Sequence, residues 1–236
     1  MHQALNRSLV FYRNPGWLFS LAFKFYLLNF DFAPFTIHHS LFTTMSLPSI
    51  ILASQSPRRK QLLEWAEVPF EIVVRHSNED FPEELPIEEV PVFIARNKAM
   101  AVKDYYIEND LPVQPVLAAD TIVVLDNKVI GKPKDREDAI SILTALSGKK
   151  HQVITGVSIL AENDDIAFAD ITDVYFHPLT QEQIEFYVDN YKPYDKAGAY
   201  AIQEWIGVVG IKCVNGDFYN VMGLPVSRVV QELQKL

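Results

Sequence analysis

The sequence predicts a mixed α/β fold in which helices flank a mixed, curved β-sheet. Short β-forming runs alternate with helical segments from Ser49 onward, and tight turn signals join several of the strand runs. Helical crossovers produce parallel strand pairs and hairpins produce antiparallel pairs, so a sheet that contains both is expected. The sequence shows no internal repeat, no Gly-rich dinucleotide fingerprint and no Cys/His spacing of a zinc site.

The first part of this region is predicted to form strands and helices in alternation, followed by a hairpin. Leu62, Leu63 and Trp65 supply an apolar face for the first helix, and Asp126-Asn127 is a turn signal between two strands. An acidic, Pro-containing loop is expected over 76–89. The predicted elements are a strand at 49–53, a helix at 57–66, a strand at 69–74, a helix at 90–109, and strands at 116–125 and 129–130.

The second part of this region is also predicted to contain helices, strands and a hairpin. Thr180 and Gln183 fit a capping box at the start of a helix, and Pro225 suits the first turn of the last one. Asn215-Gly216 is a strong hairpin signal between two apolar runs. The predicted elements are a helix at 134–146, strands at 151–160 and 167–176, a helix at 180–190, a hairpin of 207–214 with 218–221, and a helix at 224–236.

Residues 1–44 differ in composition from the rest, being rich in aromatic side chains, so we expect one domain over 45–236 preceded by an extension. One interpretation is that translation truly begins at Met45, so that residues 1–44 are not part of the protein. An interfacial anchor helix and a targeting segment are the others. The apolar stretch at 17–30 is short for a membrane span and is interrupted by Lys24, so no stable membrane association is expected.

Charge and cysteine content narrow the function classes. The 236-residue chain carries 21 basic and 30 acidic side chains, a formal net charge of −9. Such a surface repels a polyanion, so a binder of polymeric nucleic acid is not expected, although local basic groups can still hold a small anionic substrate. The single cysteine, Cys213, cannot form an internal disulfide, which fits a reducing, cytoplasmic compartment.

Three clusters carry candidate chemistry. Residues 54–59 lie where a strand gives way to a helix, so the free N–H groups of the helix start, the Ser54 hydroxyl and the side chains of Arg58 and Arg59 can bind phosphate. A capped surface helix with solvated arginines fits the same pattern.

The second cluster centres on Asp120, which lies at or near the end of a predicted strand. It is a candidate for catalysis or metal binding, and the alternative is a structural aspartate in a turn or bulge. Lys132 can reach a phosphate or stay solvated.

The third cluster is the segment 195–203, where small residues around a glycine allow close approach of the backbone to a ligand. Gln203 offers both a donor and an acceptor, which suits recognition of a base edge. Glu79 and Lys98 stand out less, as one acid in an acidic loop and one base on a helix surface.

Together these residues resemble the Maf family from about residue 47 to 236. The motifs occur in the family order: Ser54-x-Ser56-Pro57-Arg58-Arg59, Ala119-Asp120-Thr121, Gly131-Lys132-Pro133, Leu146-Ser147-Gly148, Asp195-Lys196-Ala197-Gly198-Ala199-Tyr200 and Gly223-Leu224-Pro225. The resemblance implies a fold similar to inosine triphosphate pyrophosphatases, a homodimer, and hydrolysis of a nucleoside triphosphate to its monophosphate and pyrophosphate. It also implies a divalent cation, Mg²⁺, Mn²⁺ or Co²⁺.

The resemblance also implies roles for individual residues. Asp120 matches the catalytic proton acceptor and, with Glu79, would hold the metal. Arg59, Thr121 and Gln203 match positions that distinguish substrates. The substrate-binding positions are Ser54, Arg58, Lys98 and Lys132.

The segment around Gln203 resembles the branch that acts on dTTP and UTP. It departs from the family pattern because Ala201 and Glu204 replace two glycines, which leaves the base preference open. A pyrophosphatase acting on 7-methyl-GTP or a modified nucleotide is one alternative. A non-catalytic nucleotide-binding regulator of septum formation is another.

Overall fold

The computed structural model describes residues 47–112 and 114–236, and the predictions made for residues 1–44 lie outside this part of the chain. Within it, seven strands form one mixed sheet, which confirms the predicted fold class. The N-terminal half contains the following elements: β1 (Ile50–Leu52), α1 (Pro57–Trp65), β2 (Phe70–Ile72), α2 (Val90–Glu108), β3 (Val116–Leu125), β4 (Lys128–Ile130) and α3 (Arg136–Leu146).

The C-terminal half begins with two long strands and ends with short helices. Its elements are β5 (Lys150–Leu160), β6 (Asp165–Phe176), α4 (Gln181–Tyr191), a 3₁₀ turn (Ala197–Ala199), α5 (Trp205–Gly210), β7 (Ile211–Asn215), α6 (Phe218–Met222) and α7 (Val226–Leu233). The predicted capping box of α4 is present, with the Thr180 side chain accepting from the Gln183 N–H. No helix in the described residues is long and apolar enough to cross a membrane.

The sheet has the strand order β2-β1-β3-β5-β6-β7, with β4 added to the far part of β3. β1 is parallel to β2 and β3, whereas β4, β5, β6 and β7 run antiparallel to their neighbours. β1 pairs with β3 only as far as Leu117, and β4 joins only at Val123. Between these two points one edge of β3 has no strand partner among the described residues.

The hairpin predicted near the C-terminal end is wrong. The expected hairpin of 207–214 with 218–221 is replaced by α5, β7 and α6. The run at 218–221 is helical because Asp217 caps it, accepting from the Tyr219 N–H at 2.8 Å, and because Asn220 is buried with its amide bonded to β5 and β6. Residues 205–210 form α5 rather than a strand, with Gly207 packed close to the Ile202 carbonyl, and only 211–215 form a strand, β7.

The expected position of Asp120 also needs correction. It was predicted at or near a strand end, but it lies in the middle of β3, which continues as buried apolar residues to Leu125. Cys213 is a strand residue, as the sequence suggests, but it lies in β7 with its side chain exposed.

Close packing of α2 onto the sheet depends on one glycine. Gly156 in β5 lies directly opposite Asp120 in β3, and the first turn of α2 crosses over it. A Cβ at this position would lie 2.1 Å from the backbone nitrogen of Val92 and 2.2 Å from the carbonyl carbon of Pro91. Because both atoms belong to the backbone, the clash cannot be relieved by a side-chain rotation.

We therefore expect Gly156→Ala to push α2 away from the sheet and to lower the free energy of unfolding by about 3 kcal/mol. Urea unfolding monitored by circular dichroism measures this change. Gly131→Ala is the matched control, since its added Cβ would have no heavy atom within 4 Å. Equal stability of the two variants would show that α2 does not rely on this contact.

Candidate active site

A cavity of about 740 Å³ lies at the unpartnered edge of β3. Its wall includes the start of α1, the middle of α2, the β3–β4 region and the segment around the 3₁₀ turn. Every residue that the sequence marked as a candidate lines this one cavity, although these residues come from widely separated parts of the chain: Ser54, Arg58, Arg59, Glu79, Lys98, Asp120, Thr121, Lys132 and Gln203.

The start of α1 forms one wall. Ser56 is the N-cap and Pro57 the first helical residue, as predicted, but the Ser56 side chain makes no capping hydrogen bond. Instead its backbone N–H donates to the Ser54 hydroxyl at 3.2 Å. The next two side chains diverge. Arg58 points toward Asp195, with 3.2 Å between Nη1 and Oδ2, whereas Arg59 turns into the protein.

Arg59 ties three segments together at the floor of the cavity. It donates to the Gly223 carbonyl at 2.8 Å, to the Ser54 hydroxyl at 3.1 Å and to the Thr121 hydroxyl at 3.0 Å. Burial lowers the pKa of its guanidinium, and the nearby negative charge of Asp120 opposes this effect. The solvated arginine considered for this position is therefore excluded.

Lys98 holds two carboxylates at the opposite wall. Its ammonium lies 2.7 Å from Asp120 Oδ1 and 2.8 Å from Glu79 Oε1. The side chains of Lys98 and Asp120 are each only 19% exposed, so this pair is partly desolvated, whereas Glu79 remains 64% exposed. The hydrogen bond from Lys98 lowers the pKa of Glu79, and the charges of Lys132 and Arg59 add to this. These neighbours favour the ionised form of Glu79.

Asp120 and Thr121 lie on opposite faces of β3 because side chains alternate along a strand. Ala118 and Ile122, on the Asp120 face, lie in the apolar clusters that include residues of α2. Ala119 and Val123, on the Thr121 face, belong to the main core. The cavity reaches both faces at the open edge of the strand, with the carboxylates on one side and Arg59 and Thr121 on the other.

Lys132 and Gln203 complete the cavity as exposed side chains. Lys132 follows β4 and is near enough to Glu79 to lower its pKa. Gln203 precedes α5. Both are placed where a ligand in the cavity can contact them, and their individual roles stay predictions.

The structure adds an ion-pair network that the sequence had not assigned to the site. Lys196 is buried, and its ammonium lies 2.7 Å from Asp195 and 3.5 Å from Glu204. Tyr187 donates a hydrogen bond to the second oxygen of Glu204. Burial by itself raises the pKa of Asp195, but hydrogen bonds from Lys196 and Arg58 outweigh it and leave this pKa below its ordinary value.

This network gives Glu204 a structural role. Its carboxylate is a counter-charge for the buried Lys196 and an acceptor for Tyr187. Little in the sequence signalled this role, because its partner Tyr187 lies in α4, outside the segment that contains Glu204. Arg75 also lines the cavity, with its guanidinium stacked over the ring of Tyr105 at 3.5 Å, and no motif marked it.

Comparison with known families decides the relationship of this chain. Residues 49–236 match the model of the family described as Maf-like protein. The chain belongs to the Maf family. This confirms the resemblance seen in the sequence motifs, and the matched segment contains every residue of the cavity discussed above.

Curated relatives agree with this assignment. A protein of Cytophaga hutchinsonii named dTTP/UTP pyrophosphatase is 50% identical over 187 residues, which covers 79% of this chain and 84% of the relative. A protein of the same name from Parabacteroides distasonis is 47% identical and covers 78% of this chain and 94% of the relative. One from Porphyromonas gingivalis is 46% identical and covers 78% and 92%.

Among solved structures, the Staphylococcus aureus Ham1 protein matches 54% of this chain and 71% of its own, at 12% identity and a TM-score of 0.36. The similarity is too low to support an argument about the site. The mixed α/β architecture of the Maf domain is established by its own sheet and helices.

Proposed function

We propose that this Maf protein hydrolyses dTTP and UTP to the nucleoside monophosphate and pyrophosphate. The observation that carries the proposal is the partly buried Asp120–Lys98 pair in a cavity that also contains Arg58, Arg59 and Lys132. A carboxylate beside several cations is suited to water activation next to a triphosphate. The choice of dTTP and UTP as substrates rests on the names of the curated relatives.

In the reaction, a water oxygen bonds to the α-phosphorus and the bond from that phosphorus to the bridging oxygen breaks. The bridging oxygen leaves with pyrophosphate. Asp120 orients the attacking water and accepts its proton, while Lys98 holds the Asp120 carboxylate in place through the 2.7 Å contact. The partly desolvated position of Asp120 strengthens these contacts relative to the same groups in bulk water.

Positive groups surround the path of the phosphates. The N–H groups at the start of α1 and the side chains of Arg58, Lys98 and Lys132 face the cavity and stabilise the charge that collects on the departing pyrophosphate. Asp195 keeps Arg58 directed across the cavity mouth through their 3.2 Å contact. Because carboxylates already hold Arg58 and Lys98, these two side chains need little reorganisation during the reaction.

The donor set at Asp120 and Glu79 fits a divalent cation. Their oxygens already converge on one cationic atom, Lys98 Nζ, at 2.7 and 2.8 Å. Oxygen ligands suit Mg²⁺ and Mn²⁺, and Mg²⁺ commonly uses one or two carboxylates together with substrate phosphates and water. Such a cation, or Co²⁺, would neutralise phosphate charge when bound. The described residues contain no group of three or more potential ligands of a metal.

A cytoplasmic location and a homodimer belong to the same proposal. The single cysteine, which has no partner for an internal disulfide, fits a reducing compartment such as the cytoplasm. The homodimer rests on family resemblance.

The direct test is pyrophosphate release by the full-length protein with Mg²⁺ or Mn²⁺ across dTTP, UTP, CTP, GTP and 7-methyl-GTP. We expect dTTP and UTP to have the highest kcat/KM and EDTA to abolish release, because the phosphate charge is then no longer neutralised. A folded, metal-loaded protein that binds these nucleotides without releasing pyrophosphate would instead be a nucleotide-binding regulator. Preference for 7-methyl-GTP would assign it to the other branch.

The role of Asp120 has its own test. Asp120→Asn retains the size of the side chain and an oxygen for Lys98 but removes the proton acceptor, so we expect kcat to fall by at least about 100-fold. The melting temperature should change little. Asp126→Asn is the matched control, since it removes the same charge at the exposed turn after β3. Near-normal turnover by Asp120→Asn would refute the assignment.

A further inference from the structure

A line of hydrogen-bonded hydroxyl groups runs from the cavity into the interior behind it. Arg59 Nη2 donates to Thr121 Oγ1 at 3.0 Å, and this oxygen lies 2.9 Å from Thr155 Oγ1 in the neighbouring strand β5. Thr155 Oγ1 in turn lies 3.1 Å from the backbone carbonyl oxygen of Asn220 in α6. Thr121 lines the cavity, whereas Thr155 and Asn220 are both fully buried.

The Asn220 carbonyl at the end of this line fixes the direction in which each threonine hydroxyl donates its proton. A carbonyl oxygen can only accept, so the single proton of the Thr155 hydroxyl points to Asn220. The contact between the two threonines then requires the proton of Thr121, which must point away from the cavity and toward Thr155. If the Thr121 proton pointed the other way, the two threonine oxygens would be in contact without a proton between them, which is costly.

Thr121 can therefore offer a ligand only an acceptor. Its proton is used by Thr155, and one of its two lone pairs accepts from Arg59. The remaining lone pair is available on the cavity side. A ligand group that meets the Thr121 hydroxyl must accordingly be a hydrogen-bond donor.

The Thr121 side of the cavity suits the base rather than the phosphates. The carboxylates and Lys98 lie on the other face of β3. On the Thr121 side, Arg59 already donates to the protein itself, and the lining includes Val153 and Met222 of the main core. Uracil and thymine carry a donor, N3–H, between two carbonyl groups. Cytosine has a bare acceptor at the same atom, and two facing acceptors repel each other.

We propose that Thr155 is a positioning residue that makes the Thr121 hydroxyl an obligate acceptor and so selects bases with an N3–H donor over cytosine. This inference rests on the proposed function, because it explains how the same cavity discriminates among pyrimidine triphosphates. Thr155 does not touch the base, and it acts through the proton of Thr121. Arg59 contributes by occupying the other lone pair of that hydroxyl.

Thr155→Val tests the proposal because it removes the hydroxyl at nearly constant volume. The Asn220 carbonyl keeps its hydrogen bond from the Gly223 N–H at 2.9 Å, so no buried acceptor is left unpaired. The Thr121 hydroxyl is then free to rotate and donate to cytosine. We expect the ratio of kcat/KM for UTP to that for CTP to fall by about tenfold, the effect of about one hydrogen bond.

Two further variants separate positioning from general damage to the core. Thr155→Ser retains the hydroxyl and should restore the UTP-to-CTP ratio. Thr172→Val makes the same chemical change at another buried threonine that contacts the Asn220 side chain, at 2.9 Å, but not Thr121, and should leave the ratio unchanged. A loss of ratio in Thr172→Val equal to that in Thr155→Val would overturn the proposal.

The unaltered protein provides a second test that does not depend on the folding of a variant. N3-methyl-UTP lacks the donor, so its kcat/KM should be at least about tenfold below that of UTP. Equal values for the two nucleotides, or an unchanged ratio in Thr155→Val with UTP hydrolysis intact, would overturn this inference alone. Failure of the unaltered protein to hydrolyse both UTP and dTTP would overturn the proposed function as well.

Discussion

A carboxylate in the middle of a buried β-strand must be compensated, and the arrangement around Asp120 follows from this requirement. The compensating charge is Lys98, which α2 can deliver only if it packs tightly on the sheet. Gly156, opposite Asp120, makes that approach sterically feasible. The ammonium is shared with Glu79 from the preceding loop, so one cation also fixes the position of a second acid. The packing of α2 on the sheet therefore also sets the positions of Lys98, Asp120 and Glu79 in the cavity.

The other face of β3 is organised by a buried guanidinium rather than by an ammonium. Arg59 binds a carbonyl after α6, a hydroxyl before α1 and a hydroxyl in β3, so its planar fork holds three separate segments at set angles. A lysine could not make three divergent contacts with such fixed geometry. Its partner Thr121 is connected through Thr155 to Asn220, which in turn joins β5 and β6 to α6. The Thr121 side of the cavity is consequently anchored in the centre of the sheet.

Much of this could be predicted from the sequence because local signals agreed with tertiary structure. The Ser-Pro junction before Arg58 and the capping box of α4 depend on near neighbours in the chain, and both are present. The segment after Gln203 was misread because its β-branched residues favour a strand, while tertiary contacts of Gly207 and Asn220 favour helices. The pairing of Glu204 with Lys196 and Tyr187 could not be predicted from the sequence either, since no local sequence pattern connects these residues.

The alternation of side chains along β3 separates two tasks that are adjacent in the sequence. Asp120 contacts Lys98 on one face and Thr121 contacts Arg59 on the other, yet one peptide bond connects them. Under the proposed function, substitutions on the Thr121 face can change the preferred base without disturbing the Asp120–Lys98 pair on the other face. The same alternation makes β3 intolerant of insertions, because a shift of one residue would exchange the side chains on its two faces. Diversification of such a scaffold should proceed by substitution within β3 and by length changes only in the loops around it.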